Sequence, residues 1–296
     1  MQTTIANRAA NRAANRAADS ATHDAIDYVP PKAPALHRFF SSTIVCVVIY
    51  LAVTGLIVWS AFRGSEAMGY NWQWYRVPDY FYTLTDDGFQ WGEIVYGLIK
   101  TLELSGLAFL LALILGLTVA LLRLSGLVVG GAVAVVFLEV VRNTPLLVLL
   151  YLFYYVLGPI FDLDRYVASI LCLGVYHGAM VSEIFRAGIN AVPVGQWEGA
   201  KSIGMSTAQS YRFIIFPQSI KFMLPPLTGE AVNMIKSSAI VSVIAVAELT
   251  TIGRNIISDT YMSFEIWFTV AAVYMVVTLI LSIGVSFVER HYAAQF

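Results

Sequence analysis

The chain has 296 residues, of which 58% are hydrophobic and only 12% charged, with a formal net charge of −1. Soluble domains carry about 25% charged residues, so this balance excludes disorder, collagen and a disulfide scaffold and points to a membrane protein. Near-neutral charge gives no footprint for nucleic acid, and the two cysteines, Cys46 and Cys172, lie in apolar runs without metal-ligand spacing.

Residues 7–18 repeat Asn-Arg-Ala-Ala three times, and Pro30, Pro31 and Pro34 follow. This is no secretory signal, because the first apolar run starts too late and is too long. Its three Asp residues argue against a transit peptide. Residues 1–38 are expected to be a disordered tail.

A bilayer core needs roughly 20 apolar helical residues. Six stretches qualify: Phe39 to Phe62, Leu104 to Leu122, Asn143 to Phe161, Tyr166 to Ser182 (extendable to Ile189), Leu224 to Ala247, and Ile266 to Val288. The glycine-bearing run Leu124 to Leu138 is too short to cross alone. It is read as the start of the third helix, continuing through Glu139 and Arg142, with Pro145 kinking it. With six spans both termini share one side. That side holds Arg8, Arg12, Arg16, Lys32, Arg38, Arg123, Arg186, Lys201, Arg212, Lys221 and Arg290, eleven cations against four (Arg63, Arg76, Arg165 and Arg254) on the other. The tail side is therefore expected to be cytoplasmic. Trp72, Trp74, Tyr75, Tyr80 and Tyr82 crowd the first outer loop like an interfacial belt.

The loop between the fourth and fifth spans, residues 187–224, carries more information than a connector needs. Glu198 to Ile203 can form a short helix whose Gly199 and Ala200 offer a small-residue face to another protein. Gly204 suits a left-handed helix stop. Ser206 can cap a second helix from Thr207, and Pro217 is expected to end it.

Charges within spans are costly and face protein or water. Glu139 and Arg142, like Glu183 and Arg186, are spaced to pair on one helix. Each pair can be a pathway contact or a headgroup-level anchor. Lys236 sits in a span with no acid four residues away. Its partner can be Glu230, an acid from another span such as Glu139, or the carboxylate of a substrate. Asn233, Lys236 and Ser237 share a helix face, and a cation with amide and hydroxyl donors suits a carboxylate. His177, alone among the four histidines in lying within a span, is expected to be a hydrogen-bonded core residue. No phosphate loop, nucleophile elbow or H-E-x-x-H motif occurs.

The pattern Glu198-Gly199-Ala200, three residues, Gly204, nine residues, Ile214, then Phe216-Pro217 resembles the "EAA" coupling loop of ABC importer permeases. Gly199 replaces the usual first Ala, and Phe216 the usual Leu. Glu139-Val-Val-Arg142-Asn143-Thr144-Pro145-Leu-Leu-Val resembles the E-x-x-R-x-T-P-L-L-V segment of the polar amino acid branch, which imports histidine, glutamine, glutamate and arginine. Tyr176 with Glu183-Ile-Phe-Arg186, Gly195-Gln196, and Asn233-Met-Ile-Lys236-Ser237-Ser238-Ala239 are similar to further segments of that branch. The resemblance covers about residues 95–290.

It implies an all-α type I ABC importer transmembrane domain in a bacterial inner membrane; that branch typically has five spans, so the first of the about six spans here is an addition that the resemblance does not explain, and the charge count puts both termini in the cytoplasm. The organisation is then a tail (1–38), an additional helix (39–62), a periplasmic loop (63–94) and the permease domain (95–290), with its coupling loop at 187–224. The implied partners are two ATPase subunits, a second permease of the same or a sister chain, and a periplasmic amino-acid-binding protein. ATP and magnesium would sit on the ATPase, leaving this chain without a cofactor or catalytic role. The substrate pathway is expected to draw on Glu139, Arg142, Asn143, Thr144, Tyr176, Glu183, Asn233, Lys236, Ser237 and Ser238. ATPase coupling is expected to use Glu198, Gly199, Ala200, Gly204, Ile214 and Pro217. The substrate is expected to be glutamate, aspartate or glutamine, because a site for cations would offer acids beside Asn233. The competing reading is an ion-gradient-driven secondary transporter. It would need an inverted repeat of broken helices, which the chain lacks, and it leaves the basic loop without a task.

Overall fold

The computed structural model describes residues 43–85 and 88–293, so the expected tail lies outside the described residues. The chain divides into two units, residues 1–71 and residues 72–296. The first contributes helix α1, Thr43–Ala67. It is apolar around its whole circumference, as suits a helix solvated by lipid, and Arg63 lies over the Trp59 ring one turn back.

The second unit opens with a 3-10 turn, Trp74–Tyr80, and a hairpin of β1 (Tyr82–Thr85) and β2 (Gly88–Trp91). Then come α2 (Glu93–Leu124), α3 (Val128–Arg142), α4 (Leu146–Tyr151), a π turn and α5 (Gly158–Phe161). Next are α6 (Arg165–Asn190), α7 (Val194–Ser202), α8 (Thr207–Ser210), a second π turn and α9 (Phe216–Ser238). A 3-10 segment, Ala239–Ile244, leads to α10 (Leu249–Thr260) and α11 (Ser263–Ala293). Among the described residues four helices are long and apolar enough to cross a membrane, or up to six if each bent pair is one span.

The α2–α6 pair is the spine of this unit. Inside a bilayer, helices associate by close packing of small residues. α2 buries Gly97, Ser105, Ala108, Ala112 and Gly116, and α6 buries Ala168, Ser169, Cys172, Gly174, Gly178 and Ala179. Backbone approach is tight: a Cβ on Gly116 would lie 2.6 Å from Val181, and one on Gly174 2.5 Å from Leu111.

Two expectations are corrected here. The third span is not one kinked helix. α3 and the segment Leu146–Phe161 meet at 104°, because Pro145 takes extended backbone (ψ 137) and has no N–H to continue the ladder. The side chains of Asn143 and Thr144 fold back onto the carbonyls of Glu139 and Val140 and close off α3. Pro217, in turn, does not end a helix. The chain runs helically from Thr207 through Ile244, since a π turn at Tyr211–Ile215 shifts the ladder by one residue, with the Phe216 N–H bonding the Tyr211 carbonyl. That register tolerates a residue without a donor.

Candidate functional site

The candidate site has two parts, a surface elbow and a set of polar groups between helices. In the elbow, α7 ends at Gly204, whose φ of +77° is the left-handed stop. Gly204 N–H bonds Lys201 O at 3.0 Å and Met205 N–H bonds Ala200 O at 3.1 Å, which satisfies the last carbonyls. Ser206 and Gln209 then form a reciprocal capping box for α8. The elbow is seated on a cluster of Ile189, Val192, Ile215 and Met223, with Trp197, Tyr211, Ile214 and Phe216 against it. Trp197 meets Tyr211 edge-on at 5.1 Å, and Gln218 Nε2 donates to Gln196 Oε1 at 3.0 Å.

Ala200 is turned inward and 3% exposed, so it seats α7 rather than sharing an outer face with Gly199. The outward face consists of Gly195, Glu198, Gly199 and Ser202, all exposed. Gly199 has open space where a Cβ would stand. Pro217 is exposed on the first turn of α9, and Ile214 is half-buried.

Among the polar groups, Glu183 on α6 is a hub. It takes an ion pair from Arg123 at the end of α2 and a bidentate contact from Arg186 at 2.8 and 3.0 Å. Arg142 of α3 approaches it at 3.8 Å. The expected Glu183–Arg186 pair is therefore present, whereas the expected Glu139–Arg142 pair is not. Glu139 instead accepts from Asn143 Nδ2 at 2.9 Å. The 3.8 Å approach places Arg142 on a carboxylate already shared by two other guanidinium groups.

A second cluster joins α6 to α9. His177 is 2% exposed and its Nδ1 lies 2.6 Å from Glu230 Oε1. Asn233 Nδ2 reaches Glu230 Oε2 at 3.4 Å, and the Tyr176 ring stands edge-on to His177 at 5.3 Å. Glu230 thus serves His177 and Asn233, not Lys236. Lys236 is also not buried within the chain: it is exposed beside exposed Asn233, and among the described residues it makes no ion pair within 4 Å. Ser237 is half-buried, while Ser238 faces the core with its hydroxyl on the Ile235 carbonyl. Among the described residues no hydrogen bond or ion pair links the Glu183 hub to the Glu230 cluster.

Two fully buried carboxylates escaped the sequence reading. Glu248 caps α10, accepting the N–H groups of Thr250 and Thr251 at 2.8 Å each and the Tyr274 hydroxyl at 2.9 Å. Glu265, directly before the apolar run Ile266 to Val288, is 0% exposed and accepts the Gln73 N–H at 2.6 Å. The signal for Glu248 was an acid directly before Leu249-Thr250-Thr251 at the start of a helical run, an N-cap pattern. At the same break Arg254 and Arg165 donate to the carbonyls of Ser242 and Ala245. Among the described residues no group of three His, Cys, Asp or Glu could hold a metal ion.

Comparison with known proteins adds the following. Residues 112–293 match the family model described as "binding-protein-dependent transport system inner membrane component". The chain is 35% identical over 195 residues to the probable glutamine ABC transporter permease protein GlnM of Bacillus subtilis, covering 66% of this chain and 90% of that one. It is 33% identical over 200 residues to the glutamine transport system permease protein GlnP of Escherichia coli, covering 67% and 91%. Its fold is similar to that in the crystal structure of an amino acid ABC transporter with histidines, at a TM-score of 0.63 and 42% identity over 67% of this chain and 94% of that one.

Proposed function

Because the chain belongs to the family of binding-protein-dependent transport system inner membrane components, we propose that it is the permease of an ATP-driven importer carrying glutamine, glutamate or aspartate. Family membership makes it a mostly helical inner-membrane permease with the ABC importer transmembrane fold, its ATPase a separate subunit; the short hairpin of β1 and β2 departs from the all-α expectation. Beyond that, the complex is read as two permeases (the same or sister chains), two ATPase subunits and an extracytoplasmic amino-acid-binding protein, with the elbow and both termini of this chain in the cytoplasm.

The observation that carries the reading is the outward face of α7, Gly195, Glu198, Gly199 and Ser202, on a short helix that starts behind Pro193 and is stopped by left-handed Gly204. A short rigid helix with a glycine-rich outer face lets a second protein approach closely and moves as one body when pushed. Nucleotide state then selects between two arrangements of the spans. Motion of α7 reaches α6 through the short link 191–193 and α9 through the Gln196–Gln218 bond. The Glu183 hub carries it on to α2 and α3.

For the substrate, exposed Lys236 offers an unmatched cation to a carboxylate. Asn233, steadied by Glu230, offers an amide beside it. His177 and Asn233 already occupy the two oxygens of the Glu230 carboxylate, leaving fewer acceptor positions for a cationic side chain. The glutamine relatives accord with an amide or acidic cargo. Purifying the intact complex and measuring which amino acid, presented by the binding protein, stimulates ATP hydrolysis tests the reading. Stimulation by arginine or lysine alone would contradict the substrate assignment.

A further inference from the structure

The hairpin β1–β2 has no part in the elbow or the polar clusters, yet its pattern is specific. Tyr82 pairs with Trp91 and Leu84 with Phe89, and between them Thr83 faces Gln90. Side chains alternate across a strand, so the first two pairs share one face and Thr83 with Gln90 occupy the other. The first face carries no charge. Its four side chains are open: Tyr82 47%, Leu84 77%, Phe89 53% and Trp91 55% exposed. Phe89 bridges its neighbours, stacked on Tyr82 at 6.2 Å and edge-on to Trp91 at 4.8 Å. A two-stranded hairpin is marginal in water, and a continuous apolar face on one marks a surface meant to be covered.

The hairpin is also fixed in place. Gly92 N–H bonds Phe81 O at 2.8 Å. A Cβ at Gly92 would overlap the Tyr80 carbonyl, so only glycine closes this corner. The next residue, Glu93, starts α2. The far end of α2 belongs to the elbow, because Leu121 and Leu124 line a cavity with Trp197 and Lys201. The 32 residues of α2 span about 48 Å at 1.5 Å per residue, more than the ~30 Å hydrocarbon core. Hairpin and elbow therefore stand at opposite membrane faces.

We propose that the Tyr82–Leu84–Phe89–Trp91 face lies in the interfacial layer of the leaflet opposite the elbow, with phospholipid as its occupant. Tyr and Trp prefer that layer. In the first two turns of α2, which follow the hairpin directly, Tyr96 and Ile99 are likewise open, 56% and 50% exposed. The hairpin face holds no charge with which to attract a soluble partner. Seated there, the hairpin sets the depth and tilt of α2, the helix on which α6 packs. The inference rests on the chain spanning the membrane and is independent of what is transported.

The test uses the assembled transporter in phosphatidylcholine nanodiscs, taking the Trp91 emission as the difference between the native chain and Trp91→Phe. Acyl chains brominated near the glycerol end should quench most of that emission, and aqueous iodide should quench little. Leu84→Trp in the Trp91→Phe background is a second reporter on the same face and should behave alike. Leu84→Asp should raise iodide access to Trp91 several-fold. Iodide quenching without bromine quenching would place the face in water and overturn the proposal. Protection of Trp91 that arises only on adding the binding protein would reassign the face to protein docking and overturn it equally.

Discussion

Arg142 directs its guanidinium to Glu183 on a neighbouring helix, 3.8 Å away, while Glu139, three residues back on its own helix, bonds Asn143. That choice ties the ends of three helices to one carboxylate. In Glu183→Gln, Arg123, Arg142 and Arg186 would face one another without a counter-charge. The group is a quarter exposed, so the loss should be roughly 1–3 kcal/mol, below that of a fully buried pair. Arg142→Gln removes a half-exposed, longer contact and should cost less than about 1 kcal/mol. Thermal unfolding of the assembled complex ranks the two; an equal or reversed order would contradict the hub.

At the elbow, Gly204→Ala meets no atom within 4 Å but must hold φ +77°, a strain of about 1–2 kcal/mol. The strain falls on the stop of α7. The expected outcome is an intact complex whose ATP hydrolysis no longer tracks transport. Gly199→Ala has open space within this chain and an ordinary helical backbone; it should gain up to about 1 kcal/mol of helix stability and keep coupling, because one methyl leaves the outer face small and restores the Ala usual at this place in the EAA pattern. The ratio of ATP hydrolysed to substrate moved checks both.

Lys236→Met should leave assembly with the ATPase unchanged and lower uptake more than tenfold. A hydrogen bond to a charged group contributes about 1.5–3 kcal/mol, and each 1.4 kcal/mol is a factor of ten. Unchanged uptake in proteoliposomes would remove this lysine from the pathway.

Glu248→Ala would strip two backbone N–H groups and the Tyr274 hydroxyl of their acceptor inside the protein. The expected loss is roughly 2–4 kcal/mol. Glu248→Gln keeps one acceptor oxygen and should lose less, as melting temperatures in detergent would show.

Much of this was legible in the chain because local chemistry decides it. Apolar runs located the four long helices α1, α2, α6 and α11, and Gly204 with Ser206 marked the stop and start inside the elbow, since a left-handed residue and an N-cap depend on their immediate neighbours. What was not legible depends on distant contacts. Pro145 announced a kink but not the 104° break, because the sequence does not say that its ψ is extended rather than helical. Pro217 looked like an end because a π turn leaves no composition signal. Ala200 and Gly199 were adjacent small residues, and only the fold tells them apart, Ala200 3% exposed and Gly199 facing open space. Lys236 had three candidate partners in the sequence, Glu230, an acid such as Glu139, or a substrate carboxylate, and only the fold shows that the face it occupies is uncovered by this chain. The Glu183 hub joins residues sixty apart in sequence, beyond the reach of any helix-spacing argument.

The central claim, that the elbow is where a separate ATPase grips this permease, is tested most directly by cross-linking from Glu198→Cys in the assembled transporter. The account predicts a cross-link to the ATPase subunit whose yield changes with bound nucleotide. An intact complex with no such cross-link, or labelling of that cysteine by a membrane-impermeant reagent from outside the cell, would contradict it.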